Sequence, residues 1–289
     1  MRVLVTGSGG QVGTEILHEL GRRAEEIAKG PRLEIIAADH ARLDVGDRDA
    51  VLGAIVTIEP DVVIHAAAFT AVDRCEHEPG RAFRDNALAT RYVAEGARLV
   101  GAHVAYVSTD YVFDGRAPDP YTEWDAPNPL SVYGRSKLGG EHELDGTSTI
   151  VRTSWVCGRH GPNMVKTVLR LLREPGPLRF VEDQLGSPTI AGDLAGVLVE
   201  LALARRSGVF HVTNSGVTSW FGFAAAVVGF AGGDVGRVEP ITTAELVPPR
   251  AAPRPANSVL DNLALRLEGR EPLRSWEDAT QELVAELTS

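Results

Sequence analysis

The chain has 289 residues, of which 44% are hydrophobic and 24% charged, as is typical of a globular protein with a sizeable core. Its formal net charge of −10 and its pI of about 5.3 disfavour a nucleic-acid-binding protein, because such a protein presents a clustered basic surface. No apolar run reaches the ~18 residues that span a bilayer and no signal peptide is apparent, so we expect a cytoplasmic protein without membrane contact.

A glycine-rich turn follows the first predicted strand. The strand Arg2–Thr6 is short, apolar and rich in β-branched residues, which is typical of a buried parallel strand. Gly7, Gly10 and Gly13 follow it, and a helical pattern of apolar residues begins at Val12. Glycines at these places let the backbone approach a pyrophosphate at the helix N-terminus. The turn therefore predicts a dinucleotide site, with cofactor contacts from Gly7, Gly10, Gln11 and Val12.

The second predicted strand, residues 33–38, ends at Asp39. An acid at this strand end can accept hydrogen bonds from the adenosine ribose of a dinucleotide. Asp39 comes 26 residues after the last glycine of the turn, and a long first helix with a turn at residues 29–31 accounts for the excess over the usual gap of ~20. His40 and Arg42 are close enough to accept a 2′-phosphate instead, so NAD and NADP both stay open.

Small residues end the third predicted strand. Residues 61–68 form an apolar run that finishes in three alanines, and small side chains at this strand end leave room for a cofactor backbone. Before it, Asp44 is predicted either to touch the adenine edge or to lead the helix that begins near Asp47. The predicted cofactor contacts in this part of the chain are Asp44, Val45, Ala66, Ala67 and Ala68.

Polar residues near the next two elements also point towards the cofactor crevice. A long helix predicted over residues 81–99 contains Asn86. A buried asparagine is unusual in a helix, so Asn86 is predicted to anchor polar groups as part of the cofactor site, the alternative being an exposed position. The fourth predicted strand, residues 103–107, ends at Ser108 and Thr109, and hydroxyl groups at this end of a parallel strand face the ligand crevice.

Tyr133 and Lys137 form a candidate reactive pair. They are four residues apart on a predicted helix, so they share one helical face about one turn from each other. An ammonium group beside a phenol favours the phenolate, so we expect Lys137 to lower the phenol pKa from its ordinary value of ~10. Tyr133 would then donate a proton near neutral pH. The spacing by itself also fits an ordinary exposed helical turn.

The second half of the chain alternates helices and short strands. Its length allows either one large α/β domain or two domains that share a cleft. The predicted helices and strands are helices at 163–172, 193–204, 219–230 and 275–287 and strands at 149–152, 178–181 and 208–212. A proline-rich loop at 246–255 is predicted to lie extended near the cleft, and the aromatic residues Trp220, Phe221 and Phe223 are predicted to pack in the core.

Together these motifs resemble the extended short-chain dehydrogenase/reductases, and within them the dTDP-4-dehydrorhamnose reductases. The resemblance spans nearly the whole chain, and its later motifs are more specific than the glycine turn. The matching segments are 7–13, 66–73, 108–115, 133–137 with Gly140-Glu141, 152–156, 183–189 and 254–258. It implies an α/β fold with a Rossmann-like, doubly wound parallel sheet and a smaller C-terminal α/β substrate domain. The implied division is a dinucleotide domain at 1–152, with segments that return at roughly 190–212, and mainly a substrate domain at 153–289.

The resemblance implies that NADPH or NADH reduces the C4 ketone of dTDP-4-dehydro-6-deoxy-L-mannose (dTDP-4-dehydro-β-L-rhamnose) to dTDP-L-rhamnose. In this assignment Tyr133 protonates the carbonyl oxygen and Lys137 holds the nicotinamide ribose. Thr109 hydrogen-bonds the same oxygen, with Ser108 as the neighbour that could substitute for it. Trp155 packs against the deoxysugar. The other implied substrate contacts are Thr70, Val72, Asp110, Gln184, Arg254 and Asn257.

The chain departs from the family pattern in two places. Some members hold magnesium through glutamates at a dimer contact; Glu15 occupies the first such position, but the second falls at Gly192, with Asp193 beside it. We therefore predict no metal and expect a monomer or a weak homodimer. A tyrosine of the family is Cys157 here, which is expected to reshape the sugar pocket. Cys75 and Cys157 form no CxxC motif and are expected to be free thiols.

Related activities make different demands on the sequence. A 4,6-dehydratase needs a second acid after Thr109-Asp110, where this chain has Tyr111. A 4-epimerase uses the same tyrosine–lysine pair, but the later motifs around Trp155 and residues 254–258 favour the reductase. A ketoreductase of antibiotic-sugar synthesis, similar to a dihydrostreptose synthase, stays open. A non-catalytic NADP-binding regulatory subunit is the alternative from another class.

Overall fold

The computed structural model describes residues 1–26 and 32–289. The turn predicted at residues 29–31 lies outside these residues. The strands found in the described part of the chain are β1 (Arg2–Thr6), β2 (Glu34–Ala38), β3 (Val62–His65), β4 (His103–Thr109), β5 (Thr149–Thr153), β6 (Val156–Cys157), β7 (Leu178–Val181), β8 (Leu185–Gly186), β9 (Thr189–Ile190), β10 (Gly208–His211), β11 (Thr218–Ser219) and β12 (Val238–Ile241).

Eleven α-helices lie within the same described ranges. They are α1 (Gln11–Glu26), α2 (Arg48–Ile58), α3 (Val72–His77), α4 (Pro79–Phe83), α5 (Ala89–Val100), α6 (Val132–Glu141), α7 (Met164–Leu172), α8 (Ala191–Leu203), α9 (Trp220–Phe230), α10 (Leu263–Leu267) and α11 (Trp276–Thr288). Of the helices that the structure describes, none is long and apolar enough to cross a bilayer.

Six strands form one parallel sheet in the order β10-β5-β4-β3-β1-β2. The chain moves outward from β1 to β2 and then returns to place β3 on the other side of β1, so the strand order reverses at the centre of the sheet. This is the doubly wound topology of a Rossmann-like fold, which places ligands at the carboxyl ends of the strands beside the reversal. The predicted fold class is confirmed.

Apolar layers cover both faces of this sheet. Helices α1 and α8 pack on one face, with Val5, Ile16 and Leu198 in the core between them. Helices α2 and α5 cover the other face, and Leu4 and Val63 point towards them. Strands buried on both sides read as continuous apolar runs, which is why the sequence pattern located them well.

A third apolar cluster lies in the C-terminal half of the chain. Helices α7, α9 and α11 pack together with β7 and β12, around Val168, Phe223 and Leu283. The elements α8 and β10, at residues 191–211, belong instead to the main sheet, inside the segment expected to return at roughly 190–212. The division into a dinucleotide domain and a substrate domain stays a prediction.

The helix predicted over residues 81–99 differs from the expectation. It begins as α4, passes through a π-helical turn at Arg84–Leu88 and continues as α5. A π-helical turn inserts one extra residue per turn and is found mostly at functional sites. Here the turn lies against α6, which carries the candidate reactive pair.

Side-chain caps fix where the helices of the site begin. In each case an oxygen of the capping side chain accepts a hydrogen bond from the backbone N–H three residues later, which satisfies a group left free at a helix start. The caps are Asp47 for α2, Ser131 for α6, Asn163 for α7 and Ser219 for α9. Because α6 begins at Val132, Tyr133 lies in its first turn and Lys137 in its second.

Candidate active site

Three adjoining cavities run from the carboxyl edge of the sheet to the C-terminal apolar cluster. The first, here called the glycine cavity, has a volume of about 590 Å³ and is lined by Gly7, Gly10, Asp39, Asp44 and Ala67. The second, the central cavity, measures about 580 Å³ and is lined by Val12, Thr109, Tyr133, Lys137 and Trp155. The third, the arginine cavity, measures about 360 Å³ and is lined by Gln184, Arg179, Arg250 and Arg254. Shared lining residues join the cavities, Gly10 between the first pair and Trp220 between the second.

The glycine turn is shaped so that no larger residue fits. Gly7 has a φ of +67°, in the left-handed region that favours glycine. A Cβ on Gly7 would lie 2.5 Å from the backbone nitrogen of Ala67, and one on Gly13 would lie 2.1 Å from the carbonyl oxygen of Gly7. The turn therefore brings β1, the start of α1 and the alanine run after β3 close together, which leaves an open cradle at the helix N-terminus, as a dinucleotide pyrophosphate requires.

The predicted cofactor contacts lie around this cradle. The residues that line the glycine cavity are Gly7, Gly10, Asp39, Asp44, Val45, Ala66, Ala67 and Ala68. Gln11 and Val12 line the adjoining central cavity. Gln11 also ties α1 to the second half of the chain, because its side chain donates to the Val156 carbonyl oxygen at 2.9 Å and accepts from Asn163 at 2.9 Å.

The position of Asn86 differs from the predicted one, which was in contact with the cofactor. The residue is completely buried and lines neither cavity. Its amide accepts a hydrogen bond from the Phe69 nitrogen at 2.7 Å and donates to the Phe69 oxygen at 3.1 Å and to Ser136 Oγ at 2.8 Å. The anchoring role inferred from its type is therefore directed at protein: Asn86 fixes the loop after the alanine run to α6.

Tyr133, Thr109 and Asp110 form a connected polar group in the central cavity. The Thr109 hydroxyl donates to Asp110 Oδ1 at 2.9 Å, and it lies close enough to the Tyr133 phenol to lower the pKa of that phenol. Burial raises the pKa of Asp110 to about 6. The nearby Ser258 side chain lowers this pKa in part, and Asp110 Oδ2 is itself buried, with no partner in hydrogen-bonding geometry among the described residues.

The expected pKa of Tyr133 is wrong in direction. Burial raises the phenol pKa well above its ordinary value, and the hydrogen bond with Thr109 offsets this only in part. Burial removes water from the phenolate, and Lys137, whose Nζ donates to the Val107 carbonyl oxygen at 2.7 Å, is not among the groups that shift this pKa. The phenol is therefore fully protonated at neutral pH, which suits a proton donor.

Lys137 is a buried ammonium group. Only 2% of the residue is exposed, and burial lowers its pKa to about 7, although the carboxylate of Glu141 acts in the opposite direction. Its Nζ lies 4.0 Å from the centre of the Tyr106 ring. The i, i+4 spacing predicted that Lys137 and Tyr133 share a face, and both line the central cavity.

Ser108 is bound to a buried ion pair. Its hydroxyl donates to Glu141 Oε1 at 2.5 Å, and Glu141 accepts two hydrogen bonds from Arg152, at 3.0 and 2.7 Å. The side chains of Glu141 and Arg152 are no more than 5% exposed. Ser108 is thus held by protein groups, whereas the neighbouring Thr109 hydroxyl faces Tyr133, which favours Thr109 over Ser108 as the group that meets a substrate.

Two stacked indoles close one side of the central cavity. The rings of Trp155 and Trp220 lie 3.5 Å apart at an angle of 6°. Trp155 has a φ of +47°, an unfavourable conformation for a non-glycine residue, and Gly186 leaves the space that its ring fills. Trp220 was predicted to pack in the core; Phe223 does so, but Trp220 lines both the central and the arginine cavities.

Of the predicted substrate contacts Gln184, Arg254 and Asn257, the first two line the arginine cavity. Arg254 makes a bidentate pair with Asp73 at 2.6 and 2.8 Å, and Gln184 donates to Thr243 Oγ1 at 2.9 Å. Asn257 does not line a described cavity: its side chain donates to the carbonyl oxygens of Ala117 and Asp119, at 2.9 and 3.2 Å. The structure therefore gives Asn257 a loop-fixing role instead of the predicted substrate contact.

The family model for the RmlD substrate binding domain matches residues 1–289. The chain belongs to this family. It is 40% identical to a dTDP-4-dehydrorhamnose reductase of Aggregatibacter actinomycetemcomitans, over 90% of each protein. It is 39% identical to the spore coat polysaccharide biosynthesis protein SpsK of Bacillus subtilis, over 100% of this chain and 98% of that protein. The crystal structure of the Bacillus anthracis dTDP-4-dehydrorhamnose reductase in complex with NADP superimposes with a TM-score of 0.91, at 38% identity and 99% coverage of both chains.

The departures from the family pattern have structural explanations. Asp193, beside the missing acid, is held by Asn214 at 2.7 Å and by Arg274 at 2.9 Å. Glu15 lies 3.8 Å from a ring nitrogen of His18 and 3.8 Å from one of His160, outside the three cavities. The absence of a metal stays a prediction.

The cysteines are free and buried, as expected. Cys157 packs in the C-terminal apolar cluster and lines none of the three cavities. The effect of losing the family's tyrosine on the sugar pocket stays a prediction. The Cys157 side chain points into the core because β6 pairs with β9 there, and burial raises the thiol pKa to about 11.

Proposed function

We propose that the protein uses NADH or NADPH to reduce the C4 ketone of dTDP-4-dehydro-β-L-rhamnose to dTDP-L-rhamnose. The observation that carries this proposal is the single continuous cleft in which the glycine cradle, the Thr109–Tyr133 pair and the arginine cavity follow one another. The adenosine and pyrophosphate of a nicotinamide dinucleotide fit the first part, its nicotinamide end and the keto-sugar fit the second, and the nucleoside diphosphate of the substrate fits the third. Membership in a family with reductases of this substrate supports the same assignment.

The cofactor, when bound, supplies the hydride for C4 of the ketone. As negative charge builds on the carbonyl oxygen, the Tyr133 phenol stabilises it by a hydrogen bond and delivers its proton, and the Thr109 hydroxyl adds a second hydrogen bond when it turns from Asp110 Oδ1 to that oxygen. The ammonium group of Lys137 lies in the same cavity and favours the tyrosinate that remains. Asp110 lines the same cavity and is the candidate acceptor for a sugar hydroxyl. Trp155 and Trp220 pack against the deoxysugar opposite Thr70 and Val72.

The arginine cavity suits the nucleoside diphosphate. Arginine binds phosphate oxygens through a planar set of five N–H donors, and the bonds from Arg254 to Asp73 and Ala252 use three of them. Apolar side chains, among them Phe180 and Leu246, line the same cavity and offer a surface for the thymine ring. Gln184 supplies an amide that can bind the edge of the base.

The direct test is oxidation of NADH and NADPH with enzymatically prepared dTDP-4-dehydro-β-L-rhamnose, with the product identified by mass spectrometry and NMR. Turnover to dTDP-L-rhamnose is the expected result. Faster turnover of another dTDP-4-keto-6-deoxyhexose would reassign the protein to antibiotic-sugar reduction. Tight cofactor binding without turnover on any of these ketones would identify a non-catalytic regulatory subunit and reject the proposal.

Replacing Arg254 by alanine is expected to raise the KM for the sugar nucleotide about 10–100-fold, because a charge-assisted contact of roughly 1.5–3 kcal/mol is lost. The dissociation constant for NADH should stay unchanged, since Arg254 lies in the arginine cavity and not in the glycine cavity. Arg170→Ala is the matched control, because this arginine is 63% exposed and pairs only with Glu174. Equal effects of the two substitutions would contradict the assignment of Arg254.

Replacing Asp39 by alanine is expected to shift cofactor preference towards NADPH by about 10-fold in the ratio of kcat/KM values. The Asp39 carboxylate accepts hydrogen bonds from ribose hydroxyls and repels a 2′-phosphate. Its removal should therefore weaken the binding of NADH and strengthen the binding of NADPH. The ratio is measured with both cofactors at saturating sugar nucleotide. Asp49→Ala, at a 95% exposed position on α2, is the control that should leave the ratio unchanged.

A further inference from the structure

A row of buried polar side chains crosses the central sheet beneath Lys137. Thr6 on β1 lies opposite His65 on β3, and His65 lies opposite Tyr106 on β4. All three are completely buried. The neighbouring row on the same face, two residues earlier in each strand, is apolar and consists of Leu4, Val63 and Val104. The sheet thus changes from apolar to polar where α6 carries Lys137 across it.

Tyr106 presents its ring face to Lys137. The ammonium nitrogen lies 4.0 Å from the ring centre, and the Tyr106 hydroxyl lies 3.4 Å from the Lys137 carbonyl oxygen. An aromatic face attracts a cation most strongly when both are out of water, as these residues are. The ring and the Val107 carbonyl oxygen therefore occupy two sides of the ammonium group and leave its remaining donors for the central cavity.

His65 stacks beside the Tyr106 ring from the neighbouring strand. The two rings lie 5.6 Å apart at an interplanar angle of 23°, and His65 Nδ1 lies 2.6 Å from Thr6 Oγ1. Burial, together with the charge of Lys137, lowers the pKa of His65 to about 3. The imidazole is therefore neutral at physiological pH, and it holds the ring in place without repelling the ammonium group.

The other polar groups around Lys137 act less directly. Glu141, one turn later on α6, attracts the charge but is itself paired with Arg152 on β5. Tyr133, one turn earlier on α6, is a neutral phenol. Among the described residues, no carboxylate oxygen lies within 4.0 Å of Lys137 Nζ. The ring face of Tyr106 and the Val107 carbonyl oxygen are thus two groups in direct contact with the ammonium group that favour its charged form.

We propose that Tyr106 is a positioning residue of the reduction: its ring face keeps the Lys137 ammonium group charged and directed towards the cofactor ribose. The proposal rests on the proposed function only for the role of Lys137. The hydroxyl group of Tyr106 does not contribute to this role, since the attraction comes from the aromatic ring. The aromatic ring should therefore be required and the hydroxyl dispensable.

The test is a series at position 106 that changes the ring without changing its shape. Tyr106→Phe keeps the ring, and mono-, di- and pentafluorinated phenylalanine at the same position withdraw electron density from its face step by step. Tyr106→Leu removes the ring and is the variant most at risk of unfolding, so the fluorinated series carries the argument. The readouts are the melting temperature and the pH dependence of the NADH dissociation constant, measured by cofactor fluorescence.

The expected result is a shift in the alkaline loss of NADH affinity. A weaker attraction lowers the pH at which Lys137 loses its proton, so this limb should move to lower pH in order of fluorination, by about 0.5–1.5 units in total. Tyr106→Phe should match the parent protein, and melting temperatures should stay together across the series. If the pH at which NADH affinity is lost did not change with fluorination, the proposal would be overturned. Because the readout is cofactor binding, failure of the sugar assay would reject the proposed function without deciding this question.

Discussion

Replacing Tyr133 by phenylalanine is expected to lower kcat about 10²–10⁴-fold, while the dissociation constant for NADH stays unchanged. The substitution removes only the hydroxyl that gives the proton. The ring is retained, so its packing edge to face against Tyr111, with ring centres 5.6 Å apart, is preserved. The measurement is steady-state turnover of the sugar nucleotide together with a fluorescence titration of NADH.

The neighbouring Tyr111 provides the matched control for this experiment. Tyr111→Phe also removes a buried phenol hydroxyl at the edge of the central cavity, but this hydroxyl lies beside Arg254, so its loss should act on the KM for the sugar nucleotide and not on proton transfer. The variant should retain most of the turnover. Full activity of Tyr133→Phe would show that another group delivers the proton, and Thr109 would be the next candidate. A loss of NADH binding would instead point to a structural effect.

Replacing Arg152 by methionine is expected to destabilise the protein by about 3–5 kcal/mol, because Glu141 would remain buried without its charge partner. For a chain of this size, this corresponds to a fall in melting temperature of roughly 5–8 °C, because the entropy of unfolding is about 2.1 cal/mol/K per residue. Calorimetry or thermal denaturation followed by circular dichroism measures the change. The pair joins α6 to β5, so the loss should be global and not confined to one loop.

The double variant Glu141→Leu with Arg152→Met separates the charge effect from packing. A buried ion pair replaced by apolar side chains of similar volume is often neutral in stability, so the double variant should recover at least half of the loss. Stability as low as that of the single variant would show that the packing of Arg152 against Phe113, 5.2 Å from its ring centre, matters more than the charge of Glu141.

The sequence predicted best what depends on local spacing. The glycine turn, the alanine run after β3 and the i, i+4 pair on α6 are fixed by strand and helix geometry, and their residues line the predicted cavities. The family resemblance added Thr109 and Trp155, which lie in the central cavity as implied. These features can be predicted without knowing which distant segments of the chain pack together.

What the sequence could not predict depends on burial and on distant contacts. The direction of the Tyr133 pKa follows from exclusion of water, which no spacing reveals. The pairing of Arg254 with Asp73 joins residues 181 positions apart, and the amide of Asn257 is used by a loop far away in sequence. Trp220 looked like a core residue because its helix is apolar throughout; only the position of Trp155 shows that it lines the cleft.

The stacked indoles of Trp155 and Trp220 also give the protein an internal optical reporter. Two identical chromophores at 3.5 Å share their excited states, so the ultraviolet circular dichroism and the emission of the pair depend on their separation and angle. The other tryptophans, Trp124 and Trp276, line none of the three cavities and contribute a constant background. A sugar that binds between Thr70 and the indoles changes this electronic coupling. Circular dichroism or fluorescence can therefore follow the binding of the sugar before any chemistry begins.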